Sequence, residues 1–108
     1  MTRNLVILPT AVRSLNEQVA FLAERSPAAA RRLIDAFESA CEVLKDMADA
    51  GSPRFIHEPG LEGTRVWSLK GFPEHQIFFR VRESTVEIAR VWHAKRDLRR
   101  LTPDADQA

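Results

Sequence analysis

Apolar residues follow a helical period in the first half of the chain and a strand period in the second, with the switch near Pro53. At the start, Leu5 to Leu8 form a short apolar run closed by Pro9, which predicts a strand over about residues 3–8. Val12, Leu15, Val19 and Leu22 then recur at intervals of three, four and three and share one helical face. Thr10 stands where a cap for that helix is needed. Ser26-Pro27 marks a restart, with serine at the N-cap and proline at the first helical position. In the second helix Leu33, Phe37, Ala40, Leu44 and Met47 share a face, with Ile34 and Cys41 beside it. Gly51-Ser52-Pro53 closes it. So short a link folds the two helices back on each other as an antiparallel hairpin over about residues 10–50.

Residues 53–63 hold two prolines and two glycines and are expected to form a loop. Three strand patterns follow, over Thr64–Lys70, Gln76–Arg82 and Thr85–Trp92. In the middle one Ile77, Phe79 and Val81 alternate with Gln76, Phe78, Arg80 and Arg82. Gly71-Phe72-Pro73-Glu74 and Glu83-Ser84 are short links, so the three strands run antiparallel. In the last strand Val86 and Ile88 alternate, but Val91 and Trp92 are both apolar. The pattern slips near Ala89-Arg90, the signature of a bulge. The expected fold is α+β, in the order β-α-α-β-β-β. An N-terminal strand joins the sheet at an edge, the helical hairpin covers one face, and Ala94 to Leu101 add a short helix or tail. The length of 108 residues suits a single domain over 1–108, with about 102–108 fraying.

Charge changes the picture only through its distribution. The net charge is +1. Residues 1–50 carry six Lys/Arg against seven Asp/Glu, whereas residues 65–100 carry nine against four. The second half is therefore a basic element suited to phosphates or to an acidic protein partner. No apolar run is long enough for a membrane span or a signal peptide, so a cytoplasmic protein is expected. The single cysteine, Cys41, lies on the apolar face of the second helix and is expected in the core. No metal or cofactor signature is present, and none is expected. His57 and His75 fall on loops and are expected to be exposed.

Four segments in order carry a family resemblance: Leu8-Pro9-Thr10-Ala11-Val12 with Leu15; Ser26-Pro27-Ala28-Ala29-Ala30; Gly60-Leu61-Glu62-Gly63-Thr64-Arg65-Val66-Trp67; and Ile77-Phe78-Phe79-Arg80-Val81 followed by Ile88 to Leu98. Together they resemble the RelE/ParE toxin superfamily of type II toxin–antitoxin systems, over roughly residues 3–100. The resemblance implies a growth-arresting toxin neutralised by a cognate antitoxin in a hetero-oligomer. RelE-like members cleave messenger RNA on the ribosome, and ParE-like members poison DNA gyrase.

Both activities can be weighed against the residues. Metal-free cleavage of RNA needs a base for the 2′-hydroxyl and cations for the crowded phosphate. Arg65, Arg80, Arg82 and Arg96 are the candidate cations, and His93 the candidate base. The same arginines also suit solvated surface charge or partner contacts. His93 suits a structural hydrogen bond at a strand end, and Asp97 a helix cap. RelE-like nucleases typically carry a functional tyrosine near the C-terminus, and this chain has no tyrosine. That absence, and the length of the helical hairpin, favour a gyrase poison that acts by binding. A ribosome-dependent nuclease is the alternative, and a non-toxic partner-binding member the third. The expected partner-binding residues are Trp67, Phe78, Arg80, Arg82, Trp92 and Arg96, with Phe78, Arg80 and Arg82 on the sheet face that the hairpin leaves uncovered; the tryptophans line a groove for an antitoxin helix or lie in the core, where at least one is expected.

Overall fold

The computed structural model describes residues 2–51 and 63–95. The expectations for His57, Arg96, Asp97, the C-terminal helix and the fraying tail lie outside them, as does most of the 53–63 loop. Strand β1 (Asn4–Ile7) leads into helix α1 (Pro9–Ala23), then helix α2 (Pro27–Met47) and a single 3-10 turn (Ala48–Ala50). Strands β2 (Arg65–Leu69), β3 (Phe72–Arg82) and β4 (Thr85–His93) follow. The fold is the expected α+β arrangement of strand, two helices and three strands.

The sheet is ordered β1-β4-β3-β2, which places β1 at an edge. It is mixed, not purely antiparallel, because β1 runs parallel to β4. A parallel partner needs a long crossover, and the helical hairpin with the segment after it supplies one. The link between β2 and β3 is only Lys70-Gly71, and Leu69 pairs with Phe72. Phe72, Pro73 and Glu74, expected in the link, belong to β3. Gly71 takes φ +84°, which a residue without Cβ adopts at little cost. Pro73 has no N–H to donate, and it lies where the register jumps from Ser68–Gln76 to Leu69–Phe72.

Helix α2 begins as its sequence predicts. Ser26 Oγ accepts from Ala29 N at 3.1 Å, with Pro27 at the first helical position. Leu33, Phe37, Ala40, Cys41 and Leu44 are buried against the sheet residues Leu69, Ile77, Phe79, Val86, Ile88 and Val91. Met47, expected on this face, is 54% exposed, and Ala48 is buried in its place. The helix ends at Met47, so the helical period no longer aims that side chain inward. Gly51 closes the turn against Phe79: a Cβ there would stand 2.4 Å from Phe79 Cζ, too close for any larger residue without repacking.

Helix α1 departs further from its apolar pattern. It starts at Pro9 with Leu8 as N-cap and no side-chain cap, so Thr10 does not cap it. Its buried residues are Ala11, Ser14 and Gln18, while Leu15, Val19 and Leu22 pack on the core from the flank. Val12 is 46% exposed. It sits about 100° round the helix from Ala11, at the margin of the buried face. What α1 buries at its centre is polar, for a reason that lies in β4.

Cys41 is in the core as expected. Burial, with Glu42 adding to it, pushes its thiol up to about 11. In the unfolded chain the thiol returns to its ordinary range near 9. The folded state therefore holds a proton that the unfolded state sheds first. This contribution to stability is complete below about pH 9 and is lost as pH rises toward 11. Iodoacetamide at pH 8 is expected to label Cys41 readily in denaturant and at least about tenfold more slowly in buffer, because the reactive thiolate is suppressed and covered. Equal rates under the two conditions, followed by mass spectrometry, would contradict this placement.

Candidate functional site: the arginine face of the sheet

The site is organised by one extra residue in β4. Between β3 and β4 the pairing runs Ile77–Val91, Phe78–Arg90, then Phe79–Ile88, which leaves Ala89 without a partner across the ladder. This is the bulge that the slip in alternation predicts. Side chains on paired residues share a face. Without the bulge, Val86, Ile88, Arg90 and Trp92 would all point toward the helices. With it, Val86, Ile88 and Val91 face the helices, and Arg90 and Trp92 face away.

Among the described residues the edge of β4 past the bulge has no strand beside it, because β1 pairs with β4 only from Thr85 to Ile88. Helix α1 takes over there. Leu8 N donates to Ile88 O at 2.9 Å, Thr10 Oγ1 donates to Ala89 O at 2.7 Å, and Val91 N donates to Ser14 Oγ at 2.8 Å. Ser14 in turn donates to Ala11 O. Two hydroxyls thus stand in for a neighbouring strand, satisfying backbone groups that burial would otherwise leave unpaired. This explains why Ser14 is buried on α1.

On the face away from the helices lies a second apolar cluster of Val66, Phe78 and Trp92. The Phe78 and Trp92 rings meet edge to face at 4.6 Å, and Trp92 Nε1 donates to Gln76 Oε1 at 2.8 Å. Phe78 and Trp92 are 2% and 0% exposed. Trp67 sits on the opposite side, partly buried against the helix-facing core. The two tryptophans expected among the partner-binding residues are thus on different faces, and Trp92 is core.

Beside the Phe78–Trp92 cluster, the same face carries cations. Alternation along β3 puts Arg80 and Arg82 together as expected, and the bulge adds Arg90. Opposite them stands Glu87, whose Oε1 is 3.2 Å from Arg82 Nε. Arg90 is a residue the sequence reading left out. Counted without the bulge it falls on the wrong face.

Arg65 and His93 do not join this group, and Arg96 lies outside the described residues. Arg65 pairs with Phe79 on the helix side of the sheet. Its guanidinium donates to Gly51 O at 2.8 Å and Asp49 O at 3.4 Å, where the 3-10 turn ends. Those carbonyls carry partial negative charge, so Arg65 has a structural role there. His93 lies at the opposite end of the β3–β4 hairpin from Arg82. The pairs His75–His93 and Arg82–Thr85 are seven β3 residues apart, or roughly 23 Å. His93 Nε2 lies 3.0 Å from Glu74 Oε2, and Lys95 Nζ lies 2.9 Å from Glu74 Oε1. The Lys95 bond, with His93 adding to it, holds the Glu74 carboxyl below its ordinary range and raises Lys95. His75, expected to be exposed, is 7% exposed. Its ring meets Phe72 and His93 edge-on at 5.7 and 5.0 Å. Glu74 is the second residue the sequence reading missed, since a residue assigned to a link has no defined neighbour. Among the described residues no group of three or more His, Cys, Asp or Glu could hold a metal ion, and no helix is long and apolar enough to cross a membrane.

The arrangement offers a basic recognition face and, far from it, a histidine–carboxylate pair. Comparison with known proteins decides the family. Residues 5–98 match the model of the ParE toxin of the type II toxin–antitoxin system parDE. The chain belongs to the ParE toxin family. Two solved structures share its fold. One, from a chromosomal ParDE toxin–antitoxin system of P. aeruginosa, superposes with a TM-score of 0.67 at 19% identity, covering 85% of this chain and 96% of the other. The second, from the RelBE2 toxin–antitoxin complex of Mycobacterium tuberculosis, gives 0.57 at 23% identity, covering 86% and 92%. No curated protein matches the chain. This ParE-family chain is thus a toxin of a type II toxin–antitoxin system.

Proposed function

We propose that this ParE-family toxin arrests growth by binding and poisoning DNA gyrase, and that an antitoxin with an acidic segment neutralises it by covering the arginine face. The observation that supports a binding mechanism is the dispersal of the candidate nuclease groups among the described residues. Arg65 is tied to backbone carbonyls on one face, Arg80 and Arg82 are on the other, and His93 is roughly 23 Å along the hairpin. Cleavage of RNA needs the cations and the base all within reach of one phosphodiester and its 2′-hydroxyl. A binding surface has no such requirement. Arg80, Arg82 and Arg90 share a sheet face with Glu87, and this excess of cations favours acidic partners.

The test is expression without antitoxin, followed by a supercoiling assay on purified gyrase. Growth should stop, and the purified chain should halt supercoiling of relaxed plasmid. Growth arrest with intact supercoiling sinks the gyrase reading. It would leave ribosome-dependent cleavage of messenger RNA, for which the bonded His93–Glu74 pair is the group with acid–base capacity. Unimpeded growth at full expression would instead point to a non-toxic, partner-binding member.

A further inference from the structure

The arginine face does not stop at the edge of the sheet. Past the bulge that edge is taken over by helix α1, and Arg90 meets the helix there. A pocket of about 250 Å³ opens at the junction, lined by Thr10, Arg13, Ser14 and Glu17 of α1 and by Arg90 of β4. The Thr10 and Ser14 hydroxyls are committed to backbone carbonyls, of Ala89 and Ala11. The pocket's charge is therefore set by Arg13 and Arg90 against Glu17. Among the described residues neither arginine has an ion-pair partner. Two guanidiniums lining one pocket repel each other. A phosphate between them removes that repulsion and accepts hydrogen bonds in two-point geometry.

Together with Arg80 and Arg82 they make a row of four cations. Arg82 and Arg80 lie along β3, Arg90 lies across from Phe78, and Arg13 continues the row on α1. From Arg82 to the Phe78–Arg90 pair is four residues of β3, roughly 13 Å. Duplex DNA presents one phosphate per ~3.4 Å of axis on each strand, so about four fall within that reach. The apolar residues of the face are withdrawn from its surface: Val66, Phe78 and Trp92 are all buried. Single-stranded nucleic acid is held by bases stacked on exposed aromatic rings, and a protein partner by apolar anchors. Among the described residues this cluster presents neither, and what the face offers is charge.

We propose that the row Arg82, Arg80, Arg90 and Arg13 binds the phosphate backbone of duplex DNA without reading its sequence. This deepens the reading of the face as a binding surface and rests on it. Arg13 joins the face from α1, and the antitoxin's acidic segment covers it by standing in for the duplex. Two carboxylates oppose the duplex: Glu87, 3.2 Å from Arg82, and Glu17 in the pocket.

The full-length chain is to be titrated into a fluorescently labelled duplex of arbitrary sequence, with anisotropy read over a series of salt concentrations. The dissociation constant should rise with salt along a log–log slope of roughly 3 to 4, as four phosphate contacts require. Arg13→Ala and Arg90→Ala should each weaken binding several-fold and each lower that slope by about 1. Arg32→Ala, at an exposed arginine of α2 on the other side of the sheet, should change neither. Glu17→Gln should tighten binding. Arg13, Glu17 and Arg32 are exposed helix positions, so these variants keep the fold, which circular dichroism checks. Absence of binding at low salt overturns the proposal. So does a slope that Arg13→Ala and Arg90→Ala leave unchanged, or that Arg32→Ala lowers equally. Tighter binding of a single-stranded RNA of equal length overturns it in favour of RNA, and tighter binding of polyglutamate in favour of an acidic protein. The supercoiling assay is separate: duplex binding with intact supercoiling keeps this inference and ends the gyrase reading, and the reverse pair of results does the opposite.

Discussion

Trp92→Ala is expected to cost about 3–5 kcal/mol of folding stability, a large share of what a domain of this size has. The indole is 0% exposed and forms one wall of the cluster on the arginine face. Removing it leaves a cavity beside Phe78 and strips Gln76 Oε1 of its donor. Trp92→Phe keeps an aromatic ring but loses the N–H and part of the indole, so a smaller cost of about 1–3 kcal/mol is expected. Urea unfolding of the three proteins, followed by circular dichroism, measures the series. A Trp92→Ala protein within about 1 kcal/mol of the parent would show that the cluster is not packed as described.

Ser14→Ala should destabilise by about 1–3 kcal/mol, although alanine is the better helix former. The two effects have opposite signs, which makes the experiment decisive. Helix propensity alone predicts a gain of a few tenths of a kcal/mol. Loss of the acceptor for Val91 N–H, in a buried position past the bulge, predicts a larger loss. The mechanism has its own local signature. The Val91 amide should exchange its hydrogen faster in the variant relative to its neighbours on the β3 ladder. A stability gain, or unchanged exchange at Val91, would remove α1 from its role as the missing strand. The effect should also reach the arginine face, because the bulge that Ser14 and Thr10 support is what turns Arg90 toward Arg80 and Arg82.

Most of the fold was legible from local pattern. Ser26-Pro27 specifies the start of α2 by capping chemistry that needs no tertiary partner. Strand alternation put Arg80 and Arg82 on one face, since a period of two holds wherever the strand is regular. Even the bulge was visible as Val91-Trp92, two apolar residues in succession where one face was expected to be polar. The site was less legible. The three arginine-bearing strands look alike in sequence, and only pairing register says that Arg65 turns to the helices while Arg90 turns away.

The sequence by itself determined the order of elements, the two apolar layers and the basic character of the second half. These follow from hydrophobic period and from capping and turn residues, all of which act over a few positions. Tertiary structure alone decided where the slip in β4 falls against β3, and hence which face each later side chain takes. It also decided that Ser14 and Thr10 serve β4, across separations of 77 and 79 residues. Hydrogen bonds between elements so distant in the chain depend on register and docking, and no local pattern records them. The arginine face is therefore encoded in the residues but assembled by the pairing.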